Sequence, residues 1–205
     1  MKKSPPYTYI STHNWLPQDG LSTLISEWLN YKKQTKSTSL LILQALSPPT
    51  KDQATNLVQI IQNLAYRFEL SQTDISICNK LLSDTELSTL YQNSNAILSC
   101  KLNHEILNTA TLTAIRAGIP IIYPRHSQLA RFIPESYPFN MESDCKIISL
   151  PDPLKKYSLA TYWNVVRQGE MCKKLTLFEA SSTETIAHAI AQFNIEGLKE
   201  TICEF

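Results

Sequence analysis

The sequence predicts an α/β protein with a doubly wound, mostly parallel, six-stranded Rossmann-like sheet and helices on both faces. Short runs of β-branched and aliphatic residues alternate along the chain with stretches in which apolar residues recur at helical spacing. One run, 40-LLILQAL-46, is continuously apolar, which is typical of a strand buried on both faces of a parallel sheet. This alternation favours parallel strands joined by right-handed helical crossovers.

The first half of the chain supplies three strands and two helices. Residues 7–11 are β-formers, and residues 21–33 place leucine, isoleucine and tryptophan on one helical face. After the strand at 40–46, two prolines break the chain, and an apolar stripe over residues 57–68 predicts the second helix. Residues 74–78 predict the third strand.

In the second half, Ser83 and Glu86 form a capping box that predicts a helix start, and Asn108 and Gly118 are suited to begin and end a short helix. The predicted strands here are 95–100, 119–124 and 146–150. Further helical stretches are predicted at 154–168 and 182–193, with a weaker one near 196–203. We expect one domain over residues 1–205, with a largely helical C-terminal part (154–205).

Composition excludes several classes of function. The 205 residues are 43% hydrophobic and carry a formal net charge of +1, with no cluster of lysine and arginine that could follow a nucleic acid backbone. No run approaches the roughly 20 apolar residues that cross a bilayer, and the N-terminal segment lacks the apolar core of a signal peptide. We therefore expect a cytoplasmic protein without a transmembrane segment.

Cysteine, histidine and glycine usage limits the kinds of site. The five cysteines and four histidines show no metal-ligand spacing, so we expect neither a metal nor a disulfide framework. Only four of the 205 residues are glycine, about 2%, whereas about 7% is usual. Few positions therefore allow the backbone to approach a phosphate closely.

One stretch, 104-HEILNTATLTAIRAGIPIIYP-124, carries a resemblance to a known family. It is similar to the donor-binding, C-terminal domain of GT-B glycosyltransferases, especially the large retaining group. There, a strand leads to a loop with a glutamate, and a second glutamate follows in a helix that ends at Gly-x-Pro. Glu105 matches the first glutamate and residues 114–120 match the closing pattern. The resemblance continues over 79–100 and, more loosely, over 9–28, so that it covers about residues 7–124.

The resemblance implies half of a GT-B fold, a nucleotide-sugar donor such as a UDP- or GDP-sugar, hexosyltransferase activity and no metal cofactor. Glu105 then contacts the donor sugar as the candidate catalytic residue, while helix N-terminal amides hold the diphosphate. The candidate nucleotide-sugar-binding positions are Asn14, Lys80, Leu81, Asn108, Thr109 and Thr113. The family's other half binds the acceptor, so we expect an N-terminal acceptor-binding domain or a partner protein.

The chain departs from the family pattern at the charged positions. The two basic residues of the first loop correspond to Asn14 and Asp19, and Asp19 is expected to repel a phosphate. Thr113 replaces the second glutamate, and Asn108 replaces a glycine. Lys80 or Arg125 is a candidate substitute for the missing phosphate contact.

Three interpretations therefore remain open. The chain is the donor-binding part of an active glycosyltransferase whose other domain lies outside it, or it is a degenerate GT-B-like module that acts as a binding or scaffolding partner of another enzyme. The third possibility is an unrelated doubly wound domain, for instance a flavodoxin-like one, with only topological similarity.

Overall fold

The computed structural model describes residues 6–15, 19–101, 113, 115–126, 128–148 and 161–193. Six parallel strands form one sheet in the order β3-β2-β1-β4-β5-β6, which confirms the predicted doubly wound Rossmann-like class. The strands are β1 Thr8–His13, β2 Leu40–Ala45, β3 Ile75–Cys78, β4 Ala96–Leu98, β5 Ile121–Pro124 and β6 Asn140–Met141.

The helices connect or flank these strands. The first three are α1 Leu21–Thr35, α2 Lys51–Phe68 and α3 Asp84–Gln92; two more, α4 Glu170–Ala180 and α5 Thr183–Ala191, follow the sheet. Capping residues explain where two of these helices begin. The predicted capping box of Ser83 and Glu86 is present at α3, and Thr50 with Gln53 forms a second one at α2.

The core lies on the sheet, under the helices. Ile10, Leu41, Ile97 and Ile121 from the central strands are fully or almost fully buried, and they belong to a single cluster with side chains from each of α1 to α5. The predicted end of the short helix before β5 is also confirmed: the Ala117 N–H donates to the Thr113 carbonyl, and Gly118 has φ 72°.

The prediction of the sixth strand at 146–150 was wrong. The sixth strand of the sheet is the two-residue β6, while β7 (Ser143–Ile148) pairs antiparallel with β8 (Thr161–Val166) in a separate hairpin. The β-forming residues of 146–148 do adopt a strand, but their partner is β8 and not the main sheet. Which strands pair depends on tertiary contacts, and a local sequence pattern does not determine it.

The prediction of a largely helical C-terminal part (154–205) was also partly wrong. Residues 161–166 form strand β8, in keeping with the β-propensity of the sequence TYWNVV. The helix predicted at 182–193 is confirmed as α5, but α4 was missed, although Met171, Leu175 and Phe178 form a buried stripe at helical spacing. The weaker helix near 196–203 lies outside the described residues.

Two carboxylates attach α4 to the rest of the domain. Glu27 of α1 accepts hydrogen bonds from the Gly169 N–H, at 2.9 and 3.1 Å, and so caps the start of α4. At the other end of α4, one oxygen of Glu179 accepts hydrogen bonds from the hydroxyl groups of Tyr9, Tyr31 and Ser39 at 2.6–2.9 Å. Buried polar groups are therefore paired at the packed face of α4.

Candidate functional site

The strand order places the candidate site at the carboxyl edge of the sheet, between β1 and β4. From β1 the chain proceeds to β2 and β3 on one side, and β4 and β5 lie on the other. At such a crossover the loops after the two strands diverge and leave a crevice, where open α/β sheets bind ligands. The loop after β1 begins at Asn14, and the segment after β4 begins at Ser99.

Side chains and carbonyls link neighbouring strand ends along this edge. Gln44 Nε2 at the end of β2 donates to the Lys80 carbonyl at 3.0 Å, and Trp15 Nε1 donates to the Ser47 carbonyl at 2.8 Å. Across the crossover itself, Lys101 Nζ lies 3.9 Å from a carboxylate oxygen of Asp19. Lys101, shortly after β4, therefore lies close to Asp19 in the loop after β1.

His126 extends these links to β5. Its Nε2 lies 3.0 Å from the Lys101 carbonyl, which can only accept, so that Nε2 carries the proton. Its Nδ1 lies 2.7 Å from the Ser143 hydroxyl oxygen. The hydrogen bond from Nε2 fixes the backbone of Lys101 beside the crevice.

Asp19 is turned into the protein. Its carboxylate has no exposed surface, one oxygen accepts the Asn14 N–H at 2.7 Å, and the other faces Lys101. The expectation that Asp19 repels a phosphate assumed an exposed charge. In the structure Lys101 offsets that charge, and the carboxylate shapes the loop after β1 by holding the amide of Asn14.

His13 is fully buried at the end of β1, with its ring edge-on to Trp15 at 4.5 Å between centroids. Among the described residues neither of its ring nitrogens has a hydrogen-bond partner. Burial lowers the pKa of His13 to about 4; the carboxylate of Asp19 opposes this shift, and the cation of Lys101 adds to it. His13 is therefore neutral at pH 7.

Lys80 and Leu81 follow β3, at the outer end of the same edge. Lys80 Nζ lies 2.6 Å from Glu86, the residue that caps α3, and Leu81 is half exposed. Lys80 and two hydrogen bonds from Ser83 together hold the pKa of the Glu86 carboxyl at about 2. Lys80 is thus already paired with a carboxylate.

Only some of the other predicted site residues belong to the described part of the chain. Asn14 is half buried directly after β1, and Thr113 is exposed. Glu105, Asn108 and Thr109 lie outside the described residues, so the structure does not place them relative to Asn14 or Lys80. Arg125, after β5, pairs with Glu135 at 3.1 Å and with Glu142 at 3.4 Å.

This edge also contains three residues that were not predicted from the sequence: His13, Gln44 and Lys101. All three stand at the carboxyl ends of strands, where a polar residue after an apolar run is a signal in itself. Within the described part of the chain no group of histidine, cysteine and acidic residues could hold a metal ion. No described helix is long and apolar enough to cross a membrane.

Two shallow depressions lie away from this edge. One, of about 300 Å³, is at the amino edge beside Lys32, Lys33 and Lys36. The buried Lys32 there is paired with Asp74, and Lys33 lies 3.5 Å from Glu69. The other, of about 570 Å³, lies between α1 and α4 and is mostly apolar. Neither depression brings together side chains that indicate a catalytic role or the binding of a small molecule.

Comparison with known proteins identifies the fold. No protein-family model matches the sequence, and no curated protein does either. Among solved structures, the chain is similar to the N-terminal domain of Candida albicans trehalose-6-phosphate phosphatase, with a TM-score of 0.66 and 12% identity over 97% of this chain and 41% of that one.

Two further structures show the same relation. A trehalose-6-phosphate structure from E. coli, bound with UDP-2-fluoro glucose, gives a TM-score of 0.66 at 11% identity over 95% of this chain and 41% of that one. A glycosyltransferase from Rickettsia africae gives 0.63 at 12% identity over 98% and 47%. The chain spans less than half of each of these proteins. It therefore has the Rossmann-like fold of about half of a GT-B glycosyltransferase.

Proposed function

We propose that the chain is the nucleotide-sugar-binding half of a glycosyltransferase-like protein, and that the ligand lies at the carboxyl edge of the sheet between β1 and β4. The observation that carries this proposal is the approach of Lys101, after β4, to the buried Asp19, after β1, at 3.9 Å across the crossover. In open α/β sheets this place is the usual ligand crevice.

The start of α1 supports the same location. The helix begins at Gly20, which has φ 65° and supplies no side-chain cap, and its first turn contains no acidic residue. The first amides of a helix have no partner within the helix, so they are available to an oxygen-rich ligand. A structural neighbour is described as bound with UDP-2-fluoro glucose, which makes a uridine nucleotide the first ligand to test.

The second candidate function is a catalytically degenerate module that binds a partner enzyme. It is supported by the ion pairs at the edge. Lys80 is paired with Glu86, and Arg125 is paired with Glu135 and Glu142. A diphosphate leaving group needs cations or fixed donors to take up its charge. Paired cations favour binding without efficient transfer.

Calorimetry or ligand-observed NMR with UDP, GDP and their sugars separates these candidates. The variant Glu105→Gln removes the carboxylate that the resemblance assigns to the donor sugar. Its matched control is Glu69→Gln, an exposed glutamate at the opposite edge of the sheet. We expect sugar-nucleotide binding that Glu105→Gln weakens and Glu69→Gln leaves unchanged. Absence of binding by every nucleotide contradicts the proposal and favours the scaffolding module.

Sugar transfer needs an acceptor site, which we assign to a second domain or chain. GT-B enzymes work in a cleft between two Rossmann-like halves, and the described residues form one six-stranded parallel sheet of this kind. We propose a hexosyltransferase-type reaction in the cytoplasm for the active form. The test is release of UDP or GDP from the sugar nucleotide: release only on addition of the acceptor-binding half supports transfer, and none at all supports the degenerate module.

A further inference from the structure

The larger of the two depressions is an apolar groove between α1 and α4, with a volume of about 570 Å³. Gln34 of α1 forms one wall, and residues between Gly169 and Ala180 form the other, all within the described part of the chain. We propose that residues 194–205 of the same chain cross α4 and pack into this groove as a short amphipathic helix. The inference does not depend on any ligand at the carboxyl edge.

The α4 wall of the groove combines small side chains with one exposed leucine. Gly169, Cys172, Thr176 and Ala180 recur at intervals of three or four residues along this side of α4. Small side chains allow a second helix to approach the backbone of α4 closely. Leu177, which also lines the groove, keeps 43% of its surface exposed. A helix in the groove covers this side chain and gains the free energy of burying it.

The outward surface of α4 is basic, because both of its glutamates face the protein. Glu170 is buried, and the carboxylate of Glu179 accepts hydrogen bonds from three hydroxyl groups. Lys173 Nζ lies 2.8 Å from Glu170, yet 72% of the lysine side chain is exposed. Lys174 Nζ donates to the Pro138 carbonyl, which has no net charge to offset it. Acidic side chains are therefore favoured over basic ones in a segment that covers α4.

The sequence 194-NIEGLKETICEF-205 is complementary to this surface. Leu198, Ile202 and Phe205 are spaced by four and three residues, which places them on one face of a helix. The same segment contains three glutamates and one lysine. A helix this short is marginal alone in water, so its stability must come from burial of the apolar face. The groove supplies that burial, and the lysines of α4 attract the acidic side chains.

The end of the described chain lies close to α4. Ring contacts of 5.1, 5.4 and 5.2 Å connect Phe193 through Tyr137 and Phe139 to Phe178 of α4. An extended residue spans up to about 3.3 Å, so three or four residues cross the roughly 10 Å width of a helix. The residues that remain suffice for about two helical turns in the groove. Covalent attachment also gives the segment an effective concentration of about millimolar, which favours it over a separate partner.

Carbodiimide cross-linking of the full chain tests the contact directly. The reagent joins an amine to a carboxylate only where the two touch, and mass spectrometry identifies the joined residues. We expect links from Lys173 to Glu200 or Glu204, and the link from Lys173 to Glu170 is the internal control because the two groups lie 2.8 Å apart. A mixture of isotopically labelled and unlabelled chains distinguishes one molecule from two. Links that carry mixed labels show that a second copy occupies the groove, against the proposal.

The reactivity of Cys172 is an independent measurement, because this thiol lines the groove. Cys145 is exposed on β7 and serves as the reference. We expect Ile202→Ser to raise the alkylation rate of Cys172 relative to Cys145 by about fivefold, since the cover is lost. The control Cys203→Ser changes the other side of the same helix and should leave the ratio unchanged.

Two results overturn the proposal. One is an alkylation ratio that is equal in the wild type and Ile202→Ser. The other is a set of Lys173 links that contains Glu170 and no glutamate of residues 194–205. Unchanged circular dichroism of Ile202→Ser shows that the rest of the domain stays folded, and the cross-links of the wild type need no variant at all.

Discussion

Replacing His13 with glutamine should reduce the acid sensitivity of the fold. Burial lowers the pKa of His13 in the folded protein to about 4, whereas an unfolded histidine titrates near 6.5. As the pH falls through this interval, the unfolded chain takes up a proton that the folded protein does not accept. The stabilisation that is present above pH 6.5 is therefore lost progressively as the pH approaches 4.

The size of the effect follows from the two pKa values. The difference is about 2.5 pH units at about 1.4 kcal/mol each, which gives an upper bound of roughly 3 kcal/mol. Between pH 7 and pH 5, linkage gives about 2 kcal/mol of lost stability from this one residue. That is a large share of the 5–15 kcal/mol that is typical of a folded domain.

Urea unfolding at pH 7, 6 and 5, followed by circular dichroism, measures the loss. The relevant quantity is the change in unfolding free energy between pH 7 and pH 5, so that a constant cost of the substitution cancels. We expect His13→Gln to lose about 2 kcal/mol less than the wild type. The control His188→Gln alters an exposed histidine of α5 and should follow the wild type. Equal losses for wild type and His13→Gln would refute the assignment of a neutral, buried His13.

Three further predictions concern stability. Glu179→Ala should cost about 3 kcal/mol in urea unfolding, because three hydroxyl groups lose their acceptor, whereas the exposed Glu184→Ala should stay within about 0.5 kcal/mol; equal effects would contradict the network. Glu27→Ala should cost about 1–2 kcal/mol and accelerate amide exchange in the first turn of α4, and exchange rates like those of the wild type would show that this cap is unimportant. Gly118→Ala should cost about 1 kcal/mol from its positive φ alone, since nothing lies within 4 Å of an added Cβ, and a larger loss would indicate a hidden steric contact.

The sequence allowed most of the fold to be predicted because the signals are local. The capping box of Ser83 and Glu86 is complete within four residues, and the apolar run 40–46 identifies a buried strand without knowledge of its neighbours. The preference for right-handed crossovers fixes the hand of each connection but leaves the strand order open. Gly118 likewise ends its helix through its own backbone conformation.

What the sequence did not reveal depends on contacts between distant segments. Strand β6 has only two residues, which is too short for any periodicity, and it exists because Tyr123 and Pro124 of β5 pair with it. The segment 143–148 has the composition of a sheet strand, yet β8 offers a full antiparallel partner of six residues. Local β-propensity cannot choose between two possible partners.

The candidate site shows the same limit in electrostatic terms. Read along the chain, Asp19 is a negative charge where a phosphate-binding loop would have a lysine. In the folded protein its carboxylate is completely buried, bonded to the Asn14 amide and opposed by Lys101, a residue that is distant in sequence and adjacent across the crossover. An aspartate at position 19, where the family has a basic residue, therefore removes one cation and also engages a second one, Lys101, after β4.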